Sequence, residues 1–134
     1  MNELIMKNFL YYWLPVFLYA GLIFYFSSLS TIPSVIIKII SETLILHMIE
    51  YAILNILLFR ALTNSKNNKL RNNTIFLSII IATIYGVTDE FHQLFVPGRT
   101  FSILDVFVDF IGSLLGLFVC LKFYKKNPIN LSKS

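Results

Sequence analysis

Charge is what this chain has least of: lysine, arginine, aspartate and glutamate make up 13% of its 134 residues, against 57% hydrophobic residues. A soluble domain is normally about a quarter charged, so too little polar surface is present to keep such a chain in water. Its mean hydropathy of +0.75 agrees. Cysteine is almost missing as well. Cys120 stands alone in an apolar run, which excludes an intramolecular disulfide and a cysteine-based metal site. No Ser/His/Asp arrangement, phosphate-binding glycine loop or internal repeat is visible. The net charge of +4 is spread over loops and tail rather than gathered on one face. It therefore reads as a topology signal, and no nucleic-acid partner is expected.

What is present is four apolar runs, at about 11–28, 44–62, 74–91 and 103–123. About 20 residues at 1.5 Å each cross a hydrocarbon core of about 30 Å, and each run is close to that length. The fold class expected is all-α: an integral membrane bundle of four transmembrane helices, with residues 1–134 forming one domain. The first run opens on the aromatic belt Tyr11-Tyr12-Trp13, as expected at a membrane interface. Pro15 lies near its start, where a missing N–H costs little. The run lacks a small-x-small cleavage site and is read as a retained helix. Pro33 then breaks the chain, with a short interfacial helix expected from Val35 to Ile40. A polar linker, Asn64 to Asn73, separates the second and third spans.

Orientation follows from the cations. Lys7 precedes the first span, Arg60, Lys66, Lys69 and Arg71 lie between the second and third, and Lys122, Lys125, Lys126 and Lys133 follow the fourth. Only Lys38 and Arg99 fall on the other side. The positive-inside rule then places both termini in the cytoplasm. In that orientation Glu42, Glu50, Asp89, Glu90, Asp105 and Asp109 all lie in the outer half, with His47, His92, Gln93 and Arg99.

Helical spacing sharpens this polar cluster at the outer face. His47, Glu50 and Tyr51 share one face of the second span, and Asp89, His92 and Gln93 have the same spacing at the end of the third. Asp105, Asp109, Gly112 and Gly116 form one stripe on the fourth. Gly112-x-x-x-Gly116 is a small-residue face that admits a neighbouring helix. A stripe carrying both acids and glycines should face the bundle, since an ionised group in lipid costs about 2.5–3.5 kcal/mol. The candidate catalytic groups are His47, Glu50, Asp89, Glu90, Asp105 and Asp109, acting as general acids and bases. His92, Gln93 and Arg99 are the candidate ligand contacts. Pro97-Gly98-Arg99 reads as a tight turn presenting a guanidinium that binds phosphate or carboxylate as a fork.

Blander roles compete. Lys38 and Glu42 read as solvated interface residues. Glu50 and Asp109 could be buried acids paired with Arg99 or His47 to fix helix packing, and Arg99 is expected to pair with Asp105, Glu90 or a bound anion. His-x-x-Glu and Glu-x-His, with Asp105 nearby, offer nitrogen and oxygen donors. Neither spacing is a strong metal signature, so no metal ligand is assigned and the cofactor is left unknown.

The run Asp89-Glu90-Phe91-His92-Gln93-Leu94-Phe95-Val96-Pro97-Gly98-Arg99, followed by Asp105, Asp109, Gly112 and Gly116, resembles the signature of the VanZ-like family. His47-Met48-Ile49-Glu50-Tyr51-Ala52-Ile53-Leu54 is similar to its second-helix motif, and Phe26-Ser27-Ser28 to the motif ending its first helix. The chain departs from the pattern at Leu44, where family members often carry Lys, and at Asn55, where they often carry Gly. The first departure bears on any cation beside His47; the second is expected to change only packing. Members are small bacterial membrane proteins whose namesake is associated with resistance to the glycopeptide teicoplanin. The resemblance implies a bacterial cytoplasmic membrane and, as partner, a membrane lipid or lipid-linked envelope precursor that is bound or modified. Two other functions stay open: a non-catalytic helper or anchor for a partner membrane protein, and a proton-coupled carrier using His47, Glu50 and Asp109. Homo-oligomers are compatible with either.

Overall fold

The computed structural model describes residues 2–30 and 40–126, and the regular structure there is all helical. In chain order come α1 (Asn2–Ser27), α2 (Ile40–Thr63), the short α3 (Asn68–Asn72), α4 (Thr74–Gln93) and α5 (Ile103–Lys126). Four of them contain segments long and apolar enough to cross a membrane: Met6–Ser27, Leu44–Thr63, Thr74–Gln93 and Ile103–Phe123. The short helix expected from Val35, and the side chains of Lys38 and Glu42, lie outside the described residues.

The second and fourth spans fall where the apolar runs put them. The third continues through His92 and Gln93, because its last turn stays helical although its side chains turn polar. The first differs most. α1 starts at Asn2, so the aromatic belt lies within the helix and Pro15 is interior rather than in the first turn. There Pro15 leaves the Tyr11 carbonyl without its N–H partner, a defect that membrane helices tolerate where neighbours compensate. The belt has a partner of its own. The Arg60 guanidinium, near the end of α2, lies over the rings of Tyr11 and Tyr12 at 4.7 and 5.1 Å from their centroids, a cation–π arrangement.

The linker between α2 and α4 is rich in asparagine for a physical reason. Asn64 Nδ2 and Asn73 Nδ2 donate to the carbonyls of Arg60 and Lys69, each at 2.8 Å, and Asn67 Oδ1 caps α3 by accepting from the Lys69 N–H at 2.9 Å. These side chains satisfy helix-end groups that would otherwise be orphaned.

α2 is the hub, touching α1, α4 and α5, and it meets α5 most closely. Gly112 and Gly116 make that approach possible. A Cβ on Gly112 would fall 3.0 Å from Met48 Cα, one on Gly116 would fall 3.0 Å from Ala52 Cα, and the two carbonyl oxygens lie closer still. The small-residue stripe thus packs backbone against backbone, as such stripes do in membranes.

The bundle is apolar outside and mixed inside, where Val16, Ile23, Leu54 and Leu58 pack beside buried polar groups. The buried face of α4 repeats every four residues through Thr74, Ser78, Ala82, Gly86 and Glu90, and α2 contributes His47, Tyr51 and Asn55. Phe76, Ile84, Ile103, Phe107 and Phe118 point outward. In water such a surface would be a very large apolar patch; against lipid it is the expected exterior, with polar groups drawn inward. Ser78 and Ser113 bond carbonyls of their own helices, Ile75 at 3.1 Å and Asp109 at 3.0 Å. Their hydroxyls are thereby satisfied, and the small faces stay free to pack.

Candidate functional site

The end of the bundle opposite the Asn64–Asn73 linker gathers the end of α1, the start of α2, the end of α4 and the start of α5. At the end of α4 the helical repeat puts Asp89, Glu90 and Gln93 on the buried side together. Ser27 Oγ of α1 donates to Asp89 Oδ1 at 2.6 Å. Gln93 Nε2 donates to Asp89 Oδ2 at 3.2 Å and to Glu90 Oε1 at 3.0 Å. The Ser102 N–H, just before α5, donates to Glu90 Oε2 at 3.0 Å. Glu90 is fully buried, and each of its oxygens has one donor.

α2 and α5 supply the second contact. His47 Nδ1 lies 3.0 Å from Asp109 Oδ1, and Asp109 is 1% exposed. Of the packing pairs expected for these acids, this one forms. Gly86 makes room for it: a Cβ there would come within 2.9 Å of Asp109 Oδ2 and 3.2 Å of Tyr51 Cε1. Asp109 Oδ2 and the Tyr51 hydroxyl have no hydrogen-bond partner among the described residues. Asn55, expected to alter only packing, is buried with both amide atoms unpaired among the described residues; nothing in the structure explains its choice over glycine.

The expected pairing of Arg99 with Glu90 or Asp105 does not form. Val96 to Arg99 is a tight turn, with Gly98 at φ 83° and the Arg99 N–H donating to the Val96 carbonyl at 3.1 Å, as a type II turn requires. The turn carries Arg99 away from α5 and toward the end of α1, where its Nε donates to the Leu29 carbonyl at 3.3 Å. Among the described residues the only ion pair is His47 with Asp109.

His92 makes contacts to the end of α1. Its ring lies 4.3 Å, centroid to centroid, from that of Phe24, and its Nε2 is 3.0 Å from Ser28 Oγ. Both contacts dock α1 on α4, as does Tyr85, whose hydroxyl donates to the Ala20 carbonyl at 2.6 Å. Sequence reasoning assigned no role to Ser102 or Gly86. Ser102-x-x-Asp105 has the pattern of a helix capping box, and Ser102 Oγ does accept from the Asp105 N–H at 3.2 Å.

Between α1, α2 and α4 lies a cavity of about 450 Å³. Ile23, Phe26, Leu29 and Leu46 give it an apolar wall; Ser27, His47, Glu50, Asp89 and Gln93 give it a polar one, and Arg99 lines it too. Glu50 is half-buried there and makes no hydrogen bond among the described residues. On the α5 side, His47, Glu90 and Asp105 bring donor atoms within 4.8 Å of one another. These three come from three different helices. The candidate residues therefore divide into a cavity group (His47, Glu50, Asp89, Gln93, Arg99), a convergent group (His47, Glu90, Asp105, with Asp109 behind the imidazole), and His92 as a docking residue.

No curated protein and no solved structure matches the chain. The VanZ/LLP1 family model matches residues 9–124, which take in all four membrane-crossing segments except the first few residues of α1. Over that length the chain belongs to the VanZ/LLP1 family.

Proposed function

We propose that this chain lies in a bacterial cytoplasmic membrane with both termini inside, its polar end at the outer face. There it binds or modifies a lipid-linked or cell-wall component and lowers susceptibility to teicoplanin-like lipoglycopeptides. The observation that carries the reading is the two-sided cavity, with hydrocarbon-lined and polar walls and a guanidinium among its lining groups. Such a lining suits a molecule with an apolar tail and an anionic head. Expression in a sensitive Gram-positive host should raise tolerance to teicoplanin-like drugs more than to vancomycin. A lipid-tailed drug is held at the membrane surface, where this cavity would open. Unchanged tolerance at verified expression would separate this chain from the family's namesake in function.

Arg99→Lys should remove most of that tolerance without lowering the melting temperature in detergent. Lysine keeps the charge but loses the planar fork, and the bond to Leu29 is a half-exposed one. Full tolerance in the lysine variant would make Arg99 incidental.

Orientation has its own test. In a Cys120→Ser background, Thr100→Cys should react with a membrane-impermeant thiol reagent in intact cells, and Asn67→Cys should not. Both positions are exposed and lie at opposite ends of the bundle. Labelling at Asn67 alone would invert the arrangement.

The helper reading draws on a separate observation. The His47–Asp109 pair is buried between α2 and α5 and serves helix registry without any chemistry. Which reading holds for Asp109 is decided by substitution, as argued below.

A further inference from the structure

We infer that His47, Glu90 and Asp105 form a binding site for a divalent transition-metal ion at the polar end of the bundle. One imidazole and two carboxylates make a donor set suited to Zn²⁺, and also to Mn²⁺ or Fe²⁺. Their donor atoms already lie within 4.8 Å of one another, so one ion can reach all three with small side-chain adjustments.

The surroundings of each residue suit the role. Asp109 Oδ1 holds His47 Nδ1 at 3.0 Å, leaving Nε2 as the ring nitrogen for a metal. A carboxylate behind a ligating histidine is the usual support for such a ligand. Glu90 is held from two sides by Gln93 and the Ser102 N–H, which fixes its carboxylate and leaves lone pairs over. Asp105 is the telling residue. In a capping box its carboxylate would take the Ser102 N–H, but Glu90 has that N–H. The Asp105 carboxylate therefore has no hydrogen bond among the described residues.

Charge points the same way. Glu90 is 0% and Asp109 1% exposed, and Asp109 keeps Oδ2 without a partner beside the imidazole it holds. Arg99 donates to the Leu29 carbonyl and pairs with neither Glu90 nor Asp105. Buried carboxylates need protons or a cation, and the one basic side chain among the described residues in contact with an acid, His47, is charged only when protonated. A divalent ion would supply the missing charge.

The site rests on geometry alone. Its use, an open coordination position offered to a phosphate oxygen, rests on the proposed function, so the test reads metal directly and needs no drug. Full-length protein purified in detergent without chelator, then equilibrated with Zn²⁺ or Mn²⁺ and desalted, should hold close to one equivalent by elemental analysis. Asp105→Asn, at a half-buried position where folding should survive, should hold almost none while its circular dichroism matches wild type. Asp109→Asn, which leaves all three ligands in place, should weaken binding about 10- to 100-fold. Wild-type protein that is folded yet binds neither ion, or Asp105→Asn protein that binds as much as wild type, would overturn the site. Metal binding without drug tolerance would leave the site standing and the proposed function refuted.

Discussion

Gly112→Val and Gly116→Val together are expected to destroy the folded bundle, with purified protein melting far below wild type or failing to leave aggregates. The reason is that these glycines face the backbone of α2 and not a side chain. A Cβ at either position meets a peptide carbonyl, of Met48 or Ala52, and a carbonyl inside a helix cannot rotate aside. Overpacking costs about 1–3 kcal/mol per site where neighbours can adjust, and here adjustment means moving two whole helices apart. That movement would also separate His47 from Asp109, since both lie on the same α2–α5 seam. Thermal melting in detergent measures the effect, and Gly21→Val supplies the control. Gly21 sits on the open side of α1 with nothing within 4 Å of its Cβ position, so its variant should melt like wild type. Equal melting of all three proteins would mean that α2 and α5 do not approach in this way.

The second large effect concerns the two most buried acids, which should respond oppositely to the same kind of change. Glu90→Gln is expected to lose most of the drug tolerance and to be destabilised by about 1–3 kcal/mol. Both Glu90 oxygens accept from N–H donors, Gln93 on one side and Ser102 on the other. An amide has one oxygen, so its NH₂ must face a donor. Turning Gln93 over relieves the clash only by aiming its oxygen at Asp89 Oδ2, which it now serves. Asp109→Asn has no such conflict. Its carbonyl can keep the contact with His47 Nδ1, and its NH₂ takes the place of Oδ2, where no donor stands. The asparagine variant should therefore melt like wild type. Tolerance measured at equal membrane levels then decides the role of Asp109. Loss of tolerance makes its negative charge functional; full tolerance makes the acid a packing residue and favours the helper reading.

Much of this was legible in the residues, and the misses have physical causes. Low charge and run length located the four spans, because hydropathy reports the thickness of hydrocarbon to be crossed. It does not report helix length, so α1 was expected to start at its aromatic belt, although polar Asn2, Glu3, Lys7 and Asn8 continue the same helix. Spacing on one helix correctly put Asp109, Gly112 and Gly116 on the packed side, since a single helix carries that information. Partners across helices were another matter. Arg99 was expected to meet Asp105, Glu90 or a bound anion; the turn at Gly98 brings it to the Leu29 carbonyl and to neither acid. The metal-like donors were legible in His-x-x-Glu, Glu-x-His and the nearby Asp105, but the convergence of His47, Glu90 and Asp105 was not, because these three share no local spacing and meet only when three helices pack.

The central place of α2 also bears on how the protein is made. His47 finds its partner 62 residues later in the chain, and Ser27 finds Asp89 across the same interval. α1 and α2 therefore enter the bilayer well before the groups that complete them have left the ribosome. Until α5 arrives, the polar stripe of His47, Tyr51 and Asn55 must be sheltered by the insertion machinery or by α4. A nascent chain halted before residue 103 would lack the α5 side of that shelter and leave His47 without Asp109. Arrival of α5 is thus the event that closes the α2 stripe and gives His47 its carboxylate.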